Sequence, residues 1–193
     1  MRYALLYLLP LGRVRDAMEQ SRLALETDPL SMLLHFGMAW SMYLAKQYRE
    51  TIGYARRALE IDSNYYLMWA VMGGAQLRAG LAQEGIASLK RVVELAPWFH
   101  LGAWNLASAY YEAGDYERSQ DWVRRLAGSH GHTLGAAIYY ATTGKVDAMF
   151  EALDGAHQQR DFFLLYIIQN LPFFDPYRTD PRFRALLQRM NLA

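Results

Sequence analysis

Three ten-residue stretches of this chain align without gaps at a constant spacing of 34 residues: Arg22–Ser31 (RLALETDPLS), Arg56–Tyr65 (RRALEIDSNY) and Lys90–Phe99 (KRVVELAPWF). Three series keep this step: Ala24, Ala58, Val92 and Leu126; Glu26, Glu60 and Glu94; Pro29, Ser63 and Pro97. A fixed period of this length marks a repeat architecture, in which each unit buries its apolar face only by stacking on the next.

Each unit reads as two helices. Apolar residues recur at three- and four-residue spacing, as in Leu67, Ala70 and Val71, and again in Ile86, Leu89, Val92 and Val93. Gly80, Gly114 and Gly144 fall between the paired helices, where a residue that tolerates positive φ ends the first. Pro29 and Pro97 fall between units, where a fixed φ and a missing N–H suit a turn and would break a helix interior. The period is therefore helix, turn, helix, turn, and the predicted class is all-α.

The pattern resembles the tetratricopeptide repeat family, whose signature is Trp, Leu-Gly and Tyr in the first helix and Ala, a larger apolar residue, Ala and Pro in the second. Trp69, Met72, Gly73, Gly85, Leu89, Val92 and Pro97 carry the resemblance best, although Gln76 stands where the family has Tyr. The next unit supplies Leu106, Ala107, Tyr110, Ser119, Val123 and Leu126, and the preceding one Met38, Ala39, Thr51, Ala55, Ala58 and Ser63. The small residues Ala39, Gly73, Ala107, Thr51, Gly85 and Ser119 let paired helices approach closely; the larger ones fill the gap between units. The resemblance implies an α-α superhelix of about five hairpins with a C-terminal capping helix, forming one domain. Its divisions are a truncated first repeat over 1–31, repeats over 32–65, 66–99 and 100–128, an irregular repeat over 129–159, and terminal helices and cap over 160–193. The irregularity is a step of 30 rather than 34 from Leu126 to Ala156, across Gly128–His132, so that junction is expected to be distorted. Before Gly12 only the end of a first helix remains.

Composition narrows the function. Of 193 residues 53% are hydrophobic and the net charge is +1, which excludes a disordered chain and lacks the footprint of a nucleic-acid binder. Without cysteine there is no disulfide, thiolate metal site or cysteine nucleophile. Tyr3–Leu11 and Phe162–Ile168 are too short to span a membrane. Met1-Arg2 and the apolar run after it have the outline of a signal peptide, but no small-x-small cleavage site follows, and the expected compartment is the cytoplasm. His130 and His132 offer two metal ligands with no third nearby, so a polar loop is the plainer reading, beside His35, His100 and His157. No nucleophile elbow, phosphate loop, dinucleotide fingerprint or zinc-binding His-Glu-x-x-His occurs. The chain is expected to be non-catalytic, with no cofactor and no metal.

Two surfaces are candidates for partners. Arg22, Arg56, Lys90 and Arg124 share one phase, and Arg57, Arg91 and Arg125 the next. Such a ridge suits a polyanion, but interleaved Glu60 and Glu94 make a solvated outer face the simpler account. The family resemblance implies that first helices line the concave side. There Phe36, Trp40 and Tyr43 stand in the second unit, Ala70, Gly74, Leu77 and Arg78 in the third, and Trp104, Ser108 and Tyr111 in the fourth. Family members that clamp a carboxylate carry Lys and Asn at these places, so that specificity is not expected. What remains is an aromatic trough with a small-residue floor, unless some of these rings pack between neighbouring helices.

Near the end, Leu171-Pro172 stops a helix and Asp180-Pro181 supplies an N-cap and first-turn proline for another. Phe183, Leu186, Leu187 and Met190 give that last helix an apolar face. This ending resembles those of bacterial proteins carrying such repeats behind a kinase, cyclase or winged-helix domain. The expected function is a protein-interaction scaffold holding a peptide or partner protein in its concave groove, with no nucleic acid and no membrane. The alternative is a sensory or regulatory module of a larger bacterial kinase, cyclase or transcriptional regulator. An incomplete first repeat should leave Tyr3–Leu11 as an apolar surface that drives self-association. Sedimentation should show oligomers at high concentration, or added upstream sequence should raise the melting temperature; a clean monomer whose melting is unchanged by extension refutes this.

Overall fold

The computed structural model describes residues 7–130, 133–168 and 170–192. They form two compact units, one within residues 1–99 and one within 100–193. The first holds α1 (Val14–Thr27), α2 (Met32–Leu44), α3 (Tyr48–Leu59), α4 (Tyr66–Arg78) and α5 (Ala82–Leu95). The second holds α6 (His100–Glu112), α7 (Tyr116–His130), α8 (Leu134–Thr142), α9 (Val146–Gln158), α10 (Phe162–Ile167), a 3-10 turn (Pro172–Tyr177) and α11 (Pro181–Arg189). No strand occurs among the described residues. The chain is all-α, built of consecutive helical hairpins: α2 with α3, α4 with α5, α6 with α7, and α8 with α9.

Each hairpin closes through the same backbone device. Leu81 N–H donates to Gln76 O and Gly80 N–H to Leu77 O; Asp115 to Tyr110 and Gly114 to Tyr111 repeat it 34 residues later. This pairing caps a helix whose next residue has positive φ. Gly80 and Gly114 have φ of 80° and 79°. The same phase one repeat earlier holds Lys46, at φ 62°, with Gln47 N–H on Met42 O and Lys46 N–H on Tyr43 O. Arg13 N–H on Leu8 O and Gly12 N–H on Leu9 O show the turn already in place ahead of α1.

The hairpin partners touch where their side chains are smallest. A Cβ added to Gly73 would lie 2.9 Å from Leu89 Cγ and 3.3 Å from Gly85 O, and one on Gly85 would lie 2.8 Å from Leu77 Cδ2. In the next hairpin Ser119 Oγ donates to Ala107 O at 2.9 Å. Ala39 and Thr51 are buried at the same phase, with Thr51 Oγ1 donating to the carbonyl of Gln47, the N-cap of its own helix. Buried hydroxyls are thus satisfied without loosening the contact. Leu89, Val92 and Leu126 are buried as well, at the positions assigned to filling space between repeats.

The missing four residues of the irregular repeat come out of a first helix: α8 has 9 residues where α2, α4 and α6 have 13. Residues 131 and 132 of the junction lie outside the described residues, and so does the His130–His132 pairing. Asp161 Oδ2 accepts from Leu134 N–H at 3.0 Å and satisfies one of the orphan donors of α8. Gly135 brings α8 down on α6, since an added Cβ would lie 2.7 Å from Trp104 Cδ1 and 2.9 Å from its Cβ.

The terminal helix forms as its sequence indicates. Asp180 accepts from Arg182 N–H at 2.8 Å, Pro181 takes the first turn, and Phe183, Leu186 and Met190 are buried. α11 packs on α9, where Arg182 pairs with Asp147 and lies 4.1 Å from the Phe150 ring centroid, and Arg189 pairs with Asp154. At the other end Leu8 and Leu9 are buried while Tyr7 and Leu11 are about half exposed; residues 3–6 of the expected apolar surface lie outside the described residues.

Left-handed backbone at a residue with a Cβ is costly, by about 1–2 kcal/mol. Lys46→Gly should therefore raise unfolding stability by about 1 kcal/mol in urea titration; no gain would mean that Lys46 is not strained. Gly135→Ala should lower stability by about 1–3 kcal/mol, because the fully buried Trp104 has no room to retreat. A neutral Gly135→Ala would show that α6 and α8 are not in this contact.

Candidate functional site

The first-helix residues form one run of rings in the first unit. Phe36 and Trp40 lie one turn apart on α2 with centroids 6.2 Å apart and planes 14° apart, and Trp40 and Tyr43 follow at 5.3 Å and 21°. Tyr65, ahead of α4, tilts against Phe36 at 6.5 Å, and Tyr48, starting α3, against Tyr43 at 5.7 Å. The floor is Gly74, where an added Cβ would meet the Tyr43 ring at 3.5 Å. Phe36 and Trp40 keep part of their surface in water, whereas Tyr43 is buried. Ala70 and Arg78 are half-buried, and Leu77 turns in towards Gly85 and is buried.

The second unit arranges the same phases differently. Trp104 shares the phase of Phe36 but is fully buried, against Tyr139 at 5.7 Å and Tyr140 at 6.5 Å. Ser108 is buried too, its Oγ donating back to Trp104 O at 3.1 Å. Tyr111 stays half-buried, edge-on to Tyr116 at 5.1 Å and Tyr139 at 6.4 Å. The rings assigned to a trough therefore divide. Phe36, Trp40 and Tyr111 reach the surface, while Tyr43 and Trp104 lie beneath it.

Two ring pairs were missed in the sequence although the period holds their signal. Tyr43 with Tyr48 and Tyr111 with Tyr116 are one pair, repeated two periods apart. Tyr65 was missed because it precedes its helix. Burial pushes the Tyr54, Tyr65 and Tyr140 hydroxyls above the ordinary phenol range. His35, one of five histidines without an assigned role, bridges elements: one ring nitrogen lies 2.7 Å from Tyr54 Oη and the other 2.8 Å from Pro29 O.

The outer ridge is largely occupied by its own neighbours. Arg22 pairs with Glu19 and Glu26, Arg91 with Glu94, and Arg124 with Asp121. Arg57 lies over the Tyr54 ring and Arg125 over that of Trp122. Among the described residues no group of three or more His, Asp or Glu side chains is placed to hold a metal, and no helix is long and apolar enough to cross a membrane.

No family model matches the chain. Over 105 residues it is 26% identical to a peroxisomal targeting signal receptor of Kluyveromyces lactis, an alignment spanning 54% of this chain and only 18% of the receptor. Among solved structures, MamA aligns with a TM-score of 0.57 at 14% identity, covering 77% of this chain and 92% of MamA. YrrB, a TPR protein with an unusual peptide-binding site, aligns at 0.55 and 11% identity, covering 90% of this chain and 91% of YrrB.

Proposed function

From the tetratricopeptide-repeat fold of this chain we infer a protein-interaction scaffold, non-catalytic and cytoplasmic, that holds a peptide or partner protein on its first-helix face. The observation that carries the reading is the Phe36–Trp40–Tyr43 run, which sets two part-exposed rings on a buried third above the glycine floor at Gly74. Large rings held by their neighbours offer contact area at small entropic cost, and such anchors dominate interface energetics. In the second unit Tyr111 is the corresponding accessible ring, and Trp104 and Ser108 shape the helix beneath it. Arg78, beside the floor in the first unit, orients an acidic group. That YrrB has a peptide-binding site supports a peptide as the occupant.

Selection from a displayed random-peptide library on the immobilised chain should yield sequences with aromatic or aliphatic anchors. Phe36→Ala with Trp40→Ala should weaken the selected peptides by about 2 kcal/mol or more with helix content intact. Arg124→Ala should leave them unchanged. Trp104→Ala should behave differently and destabilise the fold by about 3–5 kcal/mol. Peptides that ignore Phe36 and Trp40 would move the site elsewhere.

A further inference from the structure

A groove of about 680 Å³ opens on the other side of α4, between α3 and α5. Its apolar walls are Leu59, Trp69 and Met72, and at its base Ser88 Oγ donates to Gln76 Oε1 at 2.7 Å. The volume is that of a ligand pocket, within the usual range of about 300–1,000 Å³. None of its walls is a residue of the first-helix run described above.

Two of the groove's lining residues differ in kind from those at the same phases of the next repeat. One period later Tyr110 occupies the phase of Gln76, buried, with the Arg118 guanidinium 5.6 Å from its ring centroid. At the phases of Tyr110 and Arg118 the earlier repeat has Gln76 and Glu84. Gln76 is shorter than a tyrosine and lines the groove between α3 and α5 together with Glu84.

The charges at the rim are unevenly used. Arg91 is engaged by Glu94 and by Asn64 Oδ1 at 3.1 Å. Arg56 on one wall and Lys90 on the other have no ion pair or hydrogen bond among the described residues. Two uncommitted cations thus flank an apolar cleft, with the carboxylates of Glu84 and Glu94 further along the same rim.

We propose that this groove is a second docking site, for an acidic peptide segment that seats one bulky apolar side chain against Trp69 and Met72 and sets carboxylates on Arg56 and Lys90. Charge complementarity selects an anionic ligand, and the apolar walls select one with a side chain to bury. A continuous polyanion fits less well. Nucleic-acid binding draws on many phosphate contacts, whereas here only two of the lining cations are uncommitted. The site stands apart from the first-helix face and does not depend on it.

The test is fluorescence anisotropy on the full chain with a labelled Gly-Glu-Glu-Phe-Glu-Glu-Gly peptide. It is set beside the same peptide with Ala for Phe, and beside a single-stranded oligodeoxythymidine. The Phe peptide should bind, and the Ala peptide and the oligonucleotide should bind at least about tenfold more weakly. Arg56→Glu with Lys90→Glu, and separately Gln76→Tyr, should each weaken the Phe peptide by at least about tenfold. Ala87→Trp, which blocks the groove from an exposed position, gives the same answer if Gln76→Tyr fails to fold. Phe36→Ala with Trp40→Ala should leave this peptide's affinity unchanged, so that loss of the first-helix reading and loss of this one are separately visible. No binding of the Phe peptide, equal binding by the charge-reversed and blocked variants, or equal binding of the Ala peptide overturns the proposal. Tighter binding of the oligonucleotide, lost on charge reversal, would make the groove a polyanion site instead.

Discussion

The close approach of two helices at a pair of small residues is the contact on which the other features rest. At Gly73 and Gly85 the backbones come so near that a Cβ on either would intrude on a leucine and crowd the opposite carbonyl. That approach presses Leu89 onto Gly73 and Leu77 onto Gly85, and so decides which way both side chains point. Leu77 is turned inward as a result. In the next hairpin the same phases hold Ala107 and Ser119, and the serine hydroxyl donates across the gap to the Ala107 carbonyl. A polar atom is tolerated there because it has an acceptor within reach.

Once hairpins are fixed in this way, a side chain's neighbours are set by its phase, and the aromatic residues show both the rule and its limits. Tyr43 with Tyr48, and Tyr111 with Tyr116, repeat one ring contact across two periods. Phe36 and Trp104 also share a phase, yet one keeps part of its surface in water and the other is fully enclosed. The difference comes from α8, which is four residues shorter and carries Gly135 where it crosses Trp104. A glycine at that point lets the shortened helix settle on the indole and removes it from the surface.

Substitutions at fixed phase also shape the outer side. Tyr110 lies under Arg118 in one repeat, while Gln76 and Glu84 stand at the same phases beside the open groove in the repeat before it. Most ridge cations are held by carboxylates or rings on their own helices. Exposed pairs of this kind add little to stability, because solvent and salt screen them. Their effect is on availability, since they occupy cations that would otherwise attract an anionic ligand.

Much of the architecture was legible in the amino-acid order. The 34-residue step located the hairpins, the small-residue contacts and the turns at Gly80 and Gly114, because each depends on local chemistry that recurs with the period. Asp180-Pro181 announced the last helix for the same reason: capping involves only adjacent residues. Lys46 escaped notice because no sequence rule reserves left-handed backbone for lysine; the hairpin turn imposes it. Which helix would lose the four missing residues was decided by tertiary packing, and with it the burial of Trp104. Spacing assigned Phe36, Trp40, Tyr43, Trp104 and Tyr111 to one face. How much of each ring meets water depends on the helix that crosses it, and that helix lies a full period away in the chain.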